Sequence, residues 1–146
     1  MRAETIAGGG VTSPQGFRAA GLHCGIKANG KPDLSLLVSD VPATAAGVFT
    51  LNLAKAAPVL VSQANLNGSG GRARAILSNS GCANACTGPQ GLADAREMMA
   101  LAAAALECPV DQILIASTGV IGVNLKMDAV RAGVPRLADA LTASGG

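Results

Sequence analysis

The chain has 146 residues, the length of one domain or of part of a larger one. It is 49% hydrophobic yet has only two aromatic residues, Phe17 and Phe49, so its packing has to rest on Ala, Val, Leu and Ile. A net charge of +2, with no interleaving of basic and aromatic side chains, gives no electrostatic case for a nucleic acid or a membrane surface as partner.

Residues 1–10 are rich in Gly and Ala and lack the apolar core of a signal peptide. The longest apolar runs fall short of a membrane span. With no secretory feature, Cys24, Cys82, Cys86 and Cys108 are expected to be reduced thiols in a cytoplasmic protein. Cys82 and Cys86 have helical spacing, but the one histidine, His23, is far away in sequence, so no metal site is expected. Asn67-Gly68-Ser69 matches a glycosylation sequon and reads here as a turn.

Taken in order, residues 8–16 form a loop by composition, and Gly8-Gly9-Gly10 is no phosphate loop, because no Gly-Lys-Ser/Thr follows. Residues 17–22 read as a short strand and residues 25–31 as an exposed turn. Residues 34–39 are the first clear strand, ended by Asp40-Val41-Pro42. Residues 46–50 and 58–61 are further strand candidates, and residues 65–71, dense in Asn, Gly and Ser, form a surface loop. A fourth strand spans residues 73–78 and runs into the polar turn Asn79-Ser80-Gly81-Cys82-Ala83-Asn84.

Pro89 opens a helix with Thr87 or Gly88 as its cap. Leu92, Arg96, Met99 and Ala103 share one face, with Ala95, Met98, Ala102 and Leu106 beside it. That wide apolar stripe suits packing on a sheet. Cys108-Pro109 stops the helix. A second helical region runs from about residue 127 to residue 143, with Asp128 in its first turn and Pro135 against a continuous helix. No internal repeat or domain linker is evident, and Ser144-Gly145-Gly146 has the look of a loop cut open.

Between those helices lies the stretch best suited to chemistry. Ile113-Leu114-Ile115 is a β-branched, apolar run that stops at Ser117-Thr118-Gly119. One reading is a strand ending in a Thr-Gly turn. The other is an oxyanion hole, with a backbone N–H at a glycine and a threonine donor aimed where negative charge develops.

Five separated segments combine at this point. They are Gly10-Val11-Thr12-Ser13-Pro14-Gln15-Gly16-Phe17; Gly25-Ile26-Lys27 with Lys31-Pro32-Asp33-Leu34; Val38-Ser39-Asp40 with Ala46-Gly47-Val48-Phe49-Thr50; residues 79–88; and residues 117–122. In this order and spacing they resemble the N-terminal portion of the bifunctional ornithine acetyltransferase/glutamate N-acetyltransferase family of arginine biosynthesis, over about residues 9–141.

The resemblance implies a mixed α+β (α/β) fold of stacked β-sheets flanked by helices. It also implies a self-processing enzyme with an N-terminal threonine nucleophile. A precursor cleaves itself before that threonine into α and β chains, which remain together as an α2β2 heterotetramer. The acetyl group of N-acetylornithine passes to the threonine and then to glutamate; some members also accept acetyl-CoA, and no cofactor is implied. Thr118 and Gly119 match the family's oxyanion-hole pair. The segment Lys-Gly-(Ala/Ser)-Gly-Met before Ala-Thr-Met-Leu, which carries the nucleophile, is absent here, as is the substrate-binding Thr-Thr-Asp. The expectation is therefore an α-chain portion over residues 1–146 that lacks the end of α and its β-chain partner, and with them the nucleophile and most of the substrate contacts.

Other residues have competing readings. His23 is a general base or a structural histidine, and the family mechanism does not call on it. Cys82 and Cys86 are nucleophiles or small buried residues, and neither has a basic neighbour in sequence. Asn79, Ser80 and Asn84 either support the Thr118 strand or close a loop. Lys27 and Lys31 attract carboxylates or are a solvated hairpin tip. The alternative to an enzyme part is a non-catalytic binding or assembly module that retains the α-chain fold. A third reading, a self-processing aminopeptidase with a similar oxyanion hole, matches the N-terminal segments less well.

Overall fold

The computed structural model describes residues 5–144; residues 1–4 and 145–146, the latter in the loop expected from sequence at the C-terminal end, lie outside the described residues. Four strands, β1 (Phe17–Leu22), β2 (Leu34–Thr44), β3 (Arg72–Cys82) and β4 (Ile113–Val120), form one sheet in that order. The helices are α1 (Ala57–Gly68), α2 (Gly88–Ala105) and α3 (Met127–Asp139), and a single 3-10 turn (Val110–Gln112) leads into β4. β1, β2 and β3 pair antiparallel, while β3 and β4 are parallel and joined by α2 in a crossover. The fold is mixed α+β. Among the described residues the sheet is single, with no second one stacked on it.

All three helices pack on one face. Alternation along each strand sends Leu34, Leu36 and Val38 of β2, Ala75 and Leu77 of β3, and Ile113 and Ile115 of β4 to that side, all buried. They meet Met98 and Ala102 of α2 and Val130, Val134 and Leu137 of α3. Among the described residues no helix covers the opposite face. Ala19, Leu37, Ile76 and Leu114 stand there in direct register across all four strands, and Ile76 is 39% exposed.

Several expectations from sequence need correction. The strand expected at residues 58–61 is the start of α1. Pro58 sits in its first turn, where no N–H is needed, and Pro58, Val61, Ser62 and Leu66 are buried at helical spacing. The loop expected at residues 65–71 is largely that helix, which continues through Gly68. The strand expected at residues 46–50 is irregular chain, with the Val48 side chain in solvent. β2 does not end at Pro42: a bulge between Val38 and Ala43 takes the proline where no ladder N–H is required, and the strand resumes to Thr44.

β3 reaches Cys82, so the polar turn begins inside the strand. On α2 the face carrying Ala95, Met98 and Ala102 is the more deeply buried one, and Arg96 is exposed. Pro135 does not interrupt α3; it lies on the exposed side of the helix.

Candidate functional site

The site is built at the C-terminal ends of the parallel strands β3 and β4. There Asn79 pairs with Ser117, Ser80 with Thr118 and Gly81 with Gly119. β4 does not give way to a turn at Thr118-Gly119, as one reading of the sequence has it, but runs on to Val120, with the two candidate donors inside the paired segment. Gly119 has φ +134°, and a Cβ on it would lie 2.3 Å from the carbonyl carbon of Gly81 and 2.6 Å from the amide nitrogen of Cys82. Only glycine lets the two backbones approach this closely.

The direction of the backbone groups follows from the outer edge of β4. The Ser62 hydroxyl donates to the Ile115 carbonyl and accepts the Ile115 N–H, both at 2.9 Å. The Asn65 side-chain amide donates to the carbonyls of Ile113 at 2.8 Å and Val110 at 2.7 Å. Residues 113 and 115 therefore turn their backbone groups away from β3. Alternation sends the N–H and C=O of Thr118 towards β3. The Thr118–Gly119 peptide is trans, so the N–H of Gly119 points opposite to the Thr118 carbonyl, out to the free edge. The Thr118 side chain lies on the open face of the sheet. It lines a cavity of about 300 Å³ with Ser35, Ser78, Ser80 and Asp33. Thr118 and Gly119 are both exposed. A hydroxyl and an N–H from consecutive residues thus open at one corner of the sheet.

The loop before β2 braces this corner. Asp33, 2% exposed, accepts N–H donors from Cys24 at 2.7 Å, Gly25 at 3.2 Å and Lys27 at 2.9 Å. Burial alone would raise its carboxyl, but these N–H groups and the Cys24 thiol outweigh it and hold the pKa down at about 2. The Asp33 carbonyl accepts the Ser80 N–H at 2.9 Å, and Ile26 and Lys27 pack on Gly81. Sequence reading misses Asp33, although an acidic residue directly before a buried apolar strand is the available signal.

His23 does not face the candidate donors. Its Nδ1 lies 3.0 Å from Asp33 Oδ2 and 3.1 Å from the Lys31 carbonyl, both acceptors, so Nδ1 carries the proton. The Lys27 ammonium donates to the Pro32 carbonyl at 3.1 Å within its own loop, and Ile26, inside the turn expected to be exposed, is buried. Cys82 is buried as expected of a small core residue, whereas Cys86, expected alike, is exposed. Asn84 is fully buried: its Nδ2 donates to the Gly91 carbonyl at 2.8 Å and its Oδ1 accepts the Thr87 hydroxyl at 2.7 Å. No group of three or more His, Cys, Asp or Glu among the described residues is placed to hold a metal ion.

The fold and this corner define a mixed α+β domain that presents two adjacent hydrogen-bond donors at the end of a paired strand. The ArgJ family model matches residues 18–145, and the chain belongs to the ArgJ family. It is 52% identical over 138 residues to the arginine biosynthesis bifunctional protein ArgJ of Synechococcus sp., covering 94% of this chain and 33% of that protein. It is 53% identical over 140 residues to the ArgJ of Symbiobacterium thermophilum, covering 94% of this chain and 34% of that protein.

Among solved structures, it matches the ornithine acetyltransferase of Mycobacterium tuberculosis complexed with ornithine at TM-score 0.89 and 46% identity, over 94% of this chain and 74% of that one. The ArgJ structure from Bacillus halodurans matches at TM-score 0.87 and 41% identity, over 96% of this chain and 72% of that one. The chain thus spans about a third of the length of the curated relatives it matches. No helix among the described residues is long and apolar enough to cross a membrane.

Proposed function

We propose that this chain is the N-terminal, α-chain portion of a cytoplasmic acyltransferase of arginine biosynthesis. The enzyme moves the acetyl group of N2-acetylornithine to glutamate, with acetyl-CoA as a further donor. The acetyl group rides on a threonine that lies outside this chain and is freed by self-cleavage at the start of a β chain. The two chains act together as an α2β2 heterotetramer. This chain supplies the oxyanion hole.

The observation that carries the reading is the orientation at the end of β4. Acyl transfer passes through a tetrahedral intermediate whose oxygen becomes negative. Two preorganised donors stabilise that charge with no reorganisation at the moment of reaction. The Gly119 N–H, at the free edge, is one donor. The second is the Thr118 hydroxyl and not its N–H, because Thr118 directs its own backbone groups to β3. The open face beside Thr118 is apolar, with a row of hydroxyls from Ser35, Ser78 and Ser80, and the rest of the enzyme closes over it.

The test is transfer from N-acetylornithine to glutamate, measured with this chain alone and with the remaining α and β segments of the family polypeptide supplied in trans. Transfer is expected only in the mixture. Thr118→Ala is expected to lower kcat about 100- to 1,000-fold, the usual cost of one oxyanion donor. Pieces that associate without transferring acetyl groups, or that do not associate, point to the non-catalytic module.

A further inference from the structure

Asn79 lies directly beneath the Thr118-Gly119 corner, on the helix-facing side of β3, and is 3% exposed. Apart from its register partner Ser117, the sheet layer around this buried amide is built from Leu, Val, Ala and Ile. Its strand neighbours in register are Leu34 and Ser117. Its Nδ2 reaches forward along its own strand and donates to the Cys82 carbonyl at 2.9 Å. Its Oδ1 is buried without a partner among the described residues, and so is the Ser117 hydroxyl. Buried polar atoms left unpaired lower stability, so their retention calls for another reason.

The Asn79–Cys82 hydrogen bond spans the irregularity in β3. The ladder to β4 shifts register between Gly81 and Cys82. The Gly81–Cys82 peptide is the group against which Gly119 is pressed, at a separation that excludes any side chain. Beyond it the Ala83 N–H donates to the Val120 carbonyl at 2.9 Å. The amide of Asn79 therefore holds the Cys82–Ala83 peptide, whose N–H is the one given to Val120, and this anchors the end of the adjoining Gly81–Cys82 peptide that Gly119 is pressed against.

We propose that Asn79 is a positioning residue for the oxyanion hole, setting the Gly119 N–H and the Thr118 hydroxyl through the Gly81–Cys82 bulge. This rests on the oxyanion reading of Thr118 and Gly119. Displacing donors by about 1 Å is enough to cost roughly 100-fold in rate. Asn79 itself touches no reacting atom, because its side chain is on the helix face and Thr118 opens to the other.

The experiment compares wild type, Asn79→Ala, Asn79→Asp, Thr118→Ala and the double variant Asn79→Ala/Thr118→Ala in the complete acetyltransferase that contains this chain. Rates are measured per folded enzyme. Asn79→Ala is expected to lower kcat roughly tenfold to 100-fold with KM within about twofold. The double variant is expected to lose less than the product of the single losses, because both act on one hole. Asn79→Asp keeps the shape and is expected to lose kcat as well. An unchanged kcat in both Asn79 variants, or independent multiplicative losses, overturns the proposal.

Amide hydrogen exchange on the same complete protein gives a second readout that does not depend on acetyl transfer. Asn79→Ala is expected to lose protection at Ala83 while Leu77 and Ile115 keep theirs. Retained protection at Ala83, or uniform loss at all three, also overturns it. If wild type transfers no acetyl group, the oxyanion reading has failed, and the exchange result alone decides whether Asn79 holds the bulge.

Discussion

Ser62 of α1 and Ile115 of β4 are joined by two hydrogen bonds through one hydroxyl, each 2.9 Å long. A helix side chain thereby occupies the place of a neighbouring strand. Together with Asn65 it satisfies the outer edge of β4 as far as Ile115 and leaves the edge at Gly119 free. Ser62→Ala removes both bonds and strands a buried N–H and C=O. A loss of about 2–3 kcal/mol is expected from urea unfolding. A loss below about 0.5 kcal/mol would show that the edge is not held by this hydroxyl.

Gly119→Ala tests the other end of the same strand. A methyl group would meet the Gly81–Cys82 backbone at 2.3–2.7 Å, at a φ of +134° that side chains rarely adopt. Backbone cannot yield as a flexible side chain does, so β4 must separate from β3 at this point. Acetyl transfer by the complete enzyme is expected to fall at least as far as in Thr118→Ala, by about 100-fold or more. Wild-type kcat in a folded Gly119→Ala protein would remove Gly119 from the site.

Asp33 makes stability depend on acid. Its folded pKa, about 2, lies below the ordinary aspartate value of 3.8. Its contribution is thus fully present above about pH 4 and is lost as pH falls from there towards 2. The difference corresponds to about 2 kcal/mol. A side-chain amide at this position cannot accept all three loop N–H groups. Asp33→Asn is therefore expected to be less stable at pH 7 and to lose the acid-dependent part of the curve. Parallel wild-type and variant stabilities between about pH 5 and about pH 2 would contradict this.

Thiol labelling separates the four cysteines. Cys24 is pushed up to about 11, first by burial and then by its hydrogen bond to the Asp33 carboxylate. Burial also raises Cys108. Cys86 is exposed. A maleimide at about pH 7.5, where thiolate limits the rate, is expected to label Cys86 first and Cys24 and the buried Cys82 last, read by peptide mass spectrometry. Equal rates would mean that the loop before β2 opens freely.

The uncovered sheet face carries the row Ala19, Leu37, Ile76 and Leu114, and Val48, Leu51 and Leu53 stand almost wholly in solvent. Surfaces of this kind favour association. This chain expressed alone is expected to be poorly soluble or to self-associate, and to gain a cooperative thermal transition when the other family segments are added. A sharp transition from a monomeric sample of the chain alone would contradict that.

Much of the fold is readable where local pattern and tertiary environment agree. β1, the first half of β2, β3 and α2 follow from alternation, β-branched residues and the Gly-Pro helix start. The failures have physical causes. Pro58-Val59-Leu60-Val61 has strand-like side chains, but Pro58 suits a first helical turn, and Ser62 and Asn65 find acceptors on β4 only in a helix. Residues 46–50 have a strand's composition and no neighbour to pair with. Pro135 disfavours a helix locally, but α3 continues through it because Val130, Val134 and Leu137 on either side are buried against the sheet.

Thr118 and Gly119 stand out in the sequence, because a β-branched run ending in hydroxyls and a glycine within five separated motifs is a local pattern carried by residue types. Asn79 is legible only as a residue that either supports that strand or closes a loop, and Asp33 and Ser62 go unassigned. Their roles are contacts with backbone groups brought near by β-pairing and helix packing, and no residue type announces which distant carbonyl it will meet. The chain's order of residues was enough to single out Thr118 and Gly119 as candidate donors. Which backbone group faces the free edge, and which side chains hold it there, was decided by the register between β3 and β4.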